Sequence, residues 1–254
     1  MSAATPSAWA GCAPDTVLGT GIQTARAAVD AGVIGRPVSA VATWVSAGHE
    51  AWHPNPDFYY REGGGPLLDM GPYYLTSLFH LLGPVKRVSG ASSRPRAVRR
   101  IASGPRAGEE IPVEVDTHVT GVLEHVDGAI STVTFSFDAA ATQAAPIEVH
   151  GETGTLSLPD PNMFTGEVRL RRPGQDAWST LPTSAGYENG SRGIGLLDLV
   201  AGNARSDGSI ALHVLEIMTA LLESARTGKR LELTTTAERP PLVPLTSERE
   251  WRMQ

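Results

Sequence analysis

The sequence predicts an α+β fold, with one large, open, mostly antiparallel sheet and helices packed on a single face. Three observations carry that expectation. Helical periodicity occupies 15–31 and again 66–82. Short alternating segments follow from about 85 to 172, punctuated by Asp127-Gly128 and Glu152-Thr-Gly154. Helical patterning then returns over 191–204 and 209–227.

In chain order, residues 1–14 read as a disordered or remnant N-terminal segment and 15–254 as one domain. Asp15 is placed to cap a helix reaching about Ala31, with Val17, Leu18, Ile22, Ala25 and Val29 on one face and Gly32 just past its end. Residues 37–46, rich in Val and Ala, read as a strand, and 47–62 as a polar, aromatic loop. The helix over 66–82 stops at Gly83-Pro84. Residues 85–93 form a strand, and 94–112, with five arginines, Pro and Gly, a loop. Residues 116–126 and 129–138 pair around Asp127-Gly128. Residues 146–150 and 154–158 make a second pair, and 167–172 a further strand. Asp207-Gly208 introduces the last long helix, Gly228 closes it, and 229–235 is a short strand before a Pro-rich tail.

The 254 residues are 41% hydrophobic and 19% charged, the balance of a globular chain rather than a disordered one. With a net charge of -6, no basic face of the kind that binds nucleic acid is implied. Cys12 is the sole cysteine, so neither a disulfide nor a cysteine-rich zinc site is expected within the chain, which fits a cytoplasmic location. No unbroken apolar run is long enough to span a membrane, and the N-terminus lacks the basic and apolar regions of a secretory signal.

Gly19-Thr-Gly21 resembles the start of a dinucleotide fingerprint. That motif needs a buried strand before it, and only Trp9 to Cys12 is available. With Asp15 as cap the glycines fall inside the helix, so they are read as close-packing residues and no cofactor-binding residue is expected.

On the 66–82 helix, Asp69, Tyr73, Thr76 and His80 fall on one stripe, opposite a broad apolar side. A carboxylate, a phenol, a hydroxyl and an imidazole in line suit binding a polyol and moving its protons. An ordinary amphipathic surface helix has the same pattern. Three features favour chemistry: Gly63-Gly64-Gly65 ahead of the helix, Pro72 inside it, and a preceding loop with His49, Trp52, His53, Tyr59 and Tyr60, side chains suited to sugar stacking and hydrogen bonding. His49 and His53 lack a third ligand nearby and are followed by Pro54 and Pro56, so no metal is expected. Tyr187, Asn189 and Arg192 precede a helix and are candidates to close the pocket, although a surface role for Arg192 is equally open. His213, amid Leu212, Val214 and Leu215, is favoured as a packed core histidine.

The run Gly63-Gly-Gly-Pro-Leu-Leu-Asp69-Met-Gly-Pro-Tyr73 resembles the catalytic helix of the glucose-fructose oxidoreductase / inositol dehydrogenase (Gfo/Idh/MocA) family. Ala27 to Val38 resembles that family's approach to its second domain, and Ile147 to Leu158 its strand pair around a Gly-acid-x-Gly turn. The resemblance implies a two-domain enzyme. It implies that a Rossmann domain binding NAD or NADP would lie outside this chain, and that residues 15–254 would form the substrate-binding and oligomerisation domain, a dimer or larger oligomer through its sheet face. Hydride would pass between nicotinamide and a sugar, cyclitol or related polyol. The resemblance implies Asp69 as a catalytic residue, while Tyr73 stands where the family often has histidine. The family's Glu-Lys-Pro lysine has no counterpart, since Lys86 and Lys229 are the only lysines and neither lies in such a segment. Tyr73, His53 and His80 therefore all remain candidates for the base. Two alternatives stand beside the oxidoreductase reading: a cofactor-independent lyase or isomerase on a sugar-like substrate, and a non-catalytic partner of a full-length relative. A separate Rossmann-domain chain is a further expected partner.

Overall fold

A computed structural model describes residue 11, residues 14–203 and residues 205–253. The expected N-terminal segment, apart from Gly11 and Pro14, lies outside the described residues, as does Cys12. A 3-10 turn, Thr16–Leu18, leads into α1 (Thr20–Asp30), which buries Ile22, Ala25 and Val29 as its spacing predicts. Its N-cap is Gly19, not Asp15. The Asp15 carboxylate instead accepts the N–H groups of Gly193 at 2.8 Å and Gly195 at 3.2 Å, so it caps α3 (Ile194–Val200), far along the chain.

The sheet has nine strands. They are β1 (Pro37–Val45), β2 (Val85–Ser93), β5 (His118–His125), β6 (Ile130–Ser136), β7 (Ile147–Gly151), β8 (Thr155–Leu158), β9 (Arg169–Arg171), β10 (Ser179–Thr180) and β11 (Leu231–Glu232). Their order is β10-β9-β8-β7-β1-β6-β5-β2-β11. Every pairing is antiparallel except β1 with β6, which makes the sheet mixed. The hairpin at Asp127-Gly128 joins β5 to β6 as the turn chemistry predicts. The arginine-rich stretch departs from expectation: instead of a plain loop it holds a small pair, β3 (Val98–Arg100) and β4 (Glu110–Pro112), with Arg99 buried.

Helices α1, α2 (Pro66–Leu82) and α4 (Gly208–Thr227) pack on one face of the sheet around the main core, which includes Leu75, Phe79, Val119, Phe135, Val149 and Ile217. On β5, Val119 and Leu123 face this core while Val122 faces away and is exposed. By length and hydropathy α4 is apolar enough to cross a membrane, but it lies on β2 and buries Ile210, Val214, Ile217 and Leu221. A short α5 (Glu248–Trp251), closed by a Ser247/Glu250 capping box, was not legible as a helix in the tail.

Candidate functional site

The loop between β1 and α2 folds through two 3-10 turns, His49–Ala51 and Asp57–Tyr60. Beneath it lies a second small core of Tyr60, Ile101, Ile111, Val113 and Phe137. A buried polar network ties the loop to that core. Arg99, from β3, donates to Glu50 at 2.7 Å, to Asp138 at 2.5 Å, and to the carbonyls of Ala47 and Phe137. The Tyr60 hydroxyl donates to Glu50, and Thr117 donates to Asp138. Buried charges persist only when paired and hydrogen-bonded, and these are. Burial, with Glu50 alongside, pushes the Tyr60 phenol well above its ordinary pKa.

The second turn is held against the start of α2 by close approach. A Cβ on Gly64 would lie 2.5 Å from the Phe58 carbonyl oxygen and 2.6 Å from that of Tyr59. What the glycine run lets near is therefore the chain's own aromatic turn. That contact sets the loop's aromatic groups beside the first turn of α2, where Asp69 sits and where the helix dipole favours a carboxylate.

Asp69 accepts a hydrogen bond from His49 Nε2 at 2.8 Å and keeps about a quarter of its side chain exposed (26%). The His49 ring is surrounded by Tyr59 at 4.3 Å, Phe137 at 4.8 Å, Trp52 at 5.2 Å and Trp44 at 5.8 Å between centroids. His53 meets Trp52, Phe58 and Tyr59 edge-on. Trp52 and Phe58 are exposed, giving the cluster an open apolar shelf. Burial, and then the Asp69 charge, raise the Tyr59 pKa. One turn on from Asp69, the Arg192 guanidinium lies over the Tyr73 ring at 5.4 Å and near Phe164 at 5.9 Å. Arg192 also donates to Asn162 Oδ1 at 3.0 Å.

The structure thus brings together Asp69, His49, Trp52, His53 and Tyr59, and sets Tyr73 under Arg192. Four predicted site residues lie elsewhere. Thr76 and His80 continue the stripe on α2, but α1 covers that end of the helix: His80 is wholly buried and its Nδ1 lies 3.5 Å from Gln23 Nε2. The 66–82 helix is a central helix, covered on several sides, rather than an amphipathic surface one. Tyr60 is the core anchor described above. Tyr187 is buried too, its hydroxyl donating to Asp198 at 2.8 Å. His213 is packed as expected, accepting the Val85 N–H at 3.0 Å and lying 3.0 Å from Thr235 Oγ1.

Sequence reasoning missed Phe58, Phe164, Asn162, Glu50 and Arg99. Phe58 stood in the aromatic loop and was open to inclusion. The others join the site only through long-range contacts that no local pattern encodes.

No group of three or more His, Cys, Asp or Glu side chains that could hold a metal occurs among the described residues. The Gly19–Gly21 turn does not fit a pyrophosphate. The Gly21 N–H donates to the Phe164 carbonyl at 3.3 Å, and a Cβ on Gly19 would fall 2.1 Å from that oxygen. Protein backbone occupies the space a phosphate would need.

A half-covered sheet and a central helix that carries a partly open carboxylate beside aromatic rings define an α+β domain. The chain belongs to the GFO/IDH/MocA family: the model of that family's C-terminal domain matches residues 22–157, just over half of the chain. No curated protein matches the sequence. Among solved structures, an NAD binding oxidoreductase from Klebsiella pneumoniae is 21% identical with a TM-score of 0.69, over 86% of this chain and 65% of that one. Aldose-aldose oxidoreductase from Caulobacter crescentus, complexed with glycerol, is 18% identical with a TM-score of 0.66, over 89% and 64%. Levoglucosan dehydrogenase in its apo form is 18% identical with a TM-score of 0.64, over 86% and 64%. The chain therefore spans a little under two thirds of the length of these solved relatives.

Proposed function

We propose that this chain supplies the substrate side of an NAD(P)-dependent oxidoreductase acting on a sugar, cyclitol or related polyol, with the nicotinamide carried by a cofactor domain outside these residues. The observation that carries the reading is Asp69: a partly open carboxylate in the first turn of α2, held by His49 and flanked by exposed Trp52 and Phe58. A carboxylate that accepts from vicinal hydroxyls, beside aromatic rings that stack on C–H faces, is the usual chemistry of sugar recognition. Tyr73, beneath the Arg192 guanidinium, is a second hydroxyl partner. Solved relatives complexed with levoglucosan, L-sorbose and glycerol support this substrate class.

The test is direct binding. A panel of levoglucosan, myo-inositol and glycerol is titrated into the chain and read by chemical-shift changes at Asp69, Tyr73 and Trp52. Failure of every member to bind would overturn the polyol reading.

A cofactor-independent lyase or isomerase is favoured by one observation, that Asp69, His49 and Tyr73 all belong to this chain. Turnover of a keto-sugar without nicotinamide, lost in Asp69→Asn, would select it.

The uncovered sheet face supports pairing with a second copy. Thr132 sits between Val41 and Val122 in one row across β1, β6 and β5, and both valines are exposed.

A further inference from the structure

His49 reaches Asp69 through Nε2, and its other ring nitrogen, Nδ1, is buried with no hydrogen-bond partner. Around the ring stand the aromatic groups of Tyr59, Phe137, Trp52 and Trp44. A neutral imidazole carries one N–H and one lone pair. Only Nε2 faces an acceptor, so the Nε2–H tautomer uses its hydrogen. The Nδ1–H tautomer would bury an N–H with nothing to accept it and set the Nε2 lone pair against the carboxylate.

The backbone under the ring is fixed independently of Asp69. The His49 N–H donates to the Tyr60 hydroxyl at 3.2 Å, Glu50 is gripped by Arg99 and Tyr60, and the Ala47 carbonyl accepts from Arg99 at 3.1 Å. The imidazole is thus built into the second core, and Asp69 comes to it. On the other side of the carboxylate, Oδ1 has no partner among the described residues and the side chain is partly open.

Resting on the proposed polyol site, the geometry points to His49 as the positioning residue of Asp69: a donor that holds Oδ2, stops the carboxylate from rotating, and aims Oδ1 at a substrate hydroxyl beside Tyr73. The imidazole comes from the loop after β1, which leaves position 73 free for a phenol.

Two measurements on the full chain test this. In a long-range 1H–15N correlation spectrum of 15N-histidine-labelled protein, His49 should be the Nε2–H tautomer; finding the Nδ1–H tautomer overturns the proposal. Levoglucosan and myo-inositol are then titrated into variants. His49→Gln, whose amide N–H occupies the Nε2 position, should retain binding to within about threefold, and His49→Ala should weaken it by about tenfold or more, the factor one hydrogen bond to a charged group is worth. Should the alanine variant not fold, His49→Asn, too short to reach Oδ2, takes its place with the same expected loss. Equal binding by the wild type and the shortened variants overturns the proposal. If neither polyol binds the wild-type chain, the substrate reading fails while the tautomer still decides the role of His49.

Discussion

Asp69 and His80 lie on one stripe of α2 and meet opposite surroundings. The first is open enough to meet a ligand, and replacing it with Asn should weaken polyol binding by about tenfold or more while leaving the unfolding free energy within about 0.5 kcal/mol of the parent. Calorimetric titration checks the first quantity and denaturation the second. His80 is sealed in, and burial, followed by the charge of Arg26, pushes its imidazole down to about 3. Burial likewise lowers His125 to about 4. In the unfolded chain both titrate near the ordinary histidine value of about 6.5. Above that pH neither form is charged and the two contribute no slope. As pH falls below it, the unfolded chain binds protons that the fold refuses, so stability drops by about 1.4 kcal/mol per pH unit for each histidine, until the folded values near 4 and 3 are passed. Urea unfolding at about pH 7.5 and about pH 5 should record the loss, and His80→Gln should flatten the slope by about one histidine's share. An unchanged slope in that variant would count against the buried, neutral ring.

At the scale of elements, α2 was legible almost to the residue because its limits are local: Pro66 in the first turn, Gly83-Pro84 at the end, and leucines at helical spacing between. The hairpin at Asp127-Gly128 was legible for the same reason. Asp15 was not. As a cap it looked sound, yet its partners are 178 and 180 residues away. Arg99 was hidden in an arginine-rich stretch that reads as solvated, and only the fold supplies Glu50 and Asp138 as partners. Periodicity placed Thr76 and His80 on a stripe correctly but carries no information on whether a second helix covers it. Arg99→Met should remove about 3–5 kcal/mol, because it takes the cation from the buried Glu50 and the half-buried Asp138 and leaves them only their hydroxyl donors and the more distant Arg96. Gly64→Ala should cost about 1–3 kcal/mol, since its methyl would meet two backbone carbonyls rather than a side chain able to swing away. Chemical denaturation measures both, and in each variant the His49–Asp69 contact should loosen before the main core does.

For the whole molecule, the sheet has one face under helices and one bare, with Val41, Thr132 and Val122 in a row at its centre. If that face joins two copies, Val122→Lys should shift light-scattering mass from dimer to monomer with a stability change within about 0.5 kcal/mol, as for a surface substitution. A wild-type monomer at high concentration would rule the pairing out.

The parallel contact of β1 with β6 has a consequence for how the chain acquires its shape. Strand β1 ends at Val45, but both of its neighbours, β6 and β7, come much later, from Ile130 and Ile147 onward. As the chain leaves the ribosome, β1 waits with both edges bare while α2, β2 and β5 emerge. The loop closures needed to flank it are long, so folding should be slow for a domain of this size. Until they happen, Ala40, Val41 and Ala42 belong to an open strand of the kind that nascent chains aggregate through, and a fragment ending before β6 should need a chaperone to stay soluble.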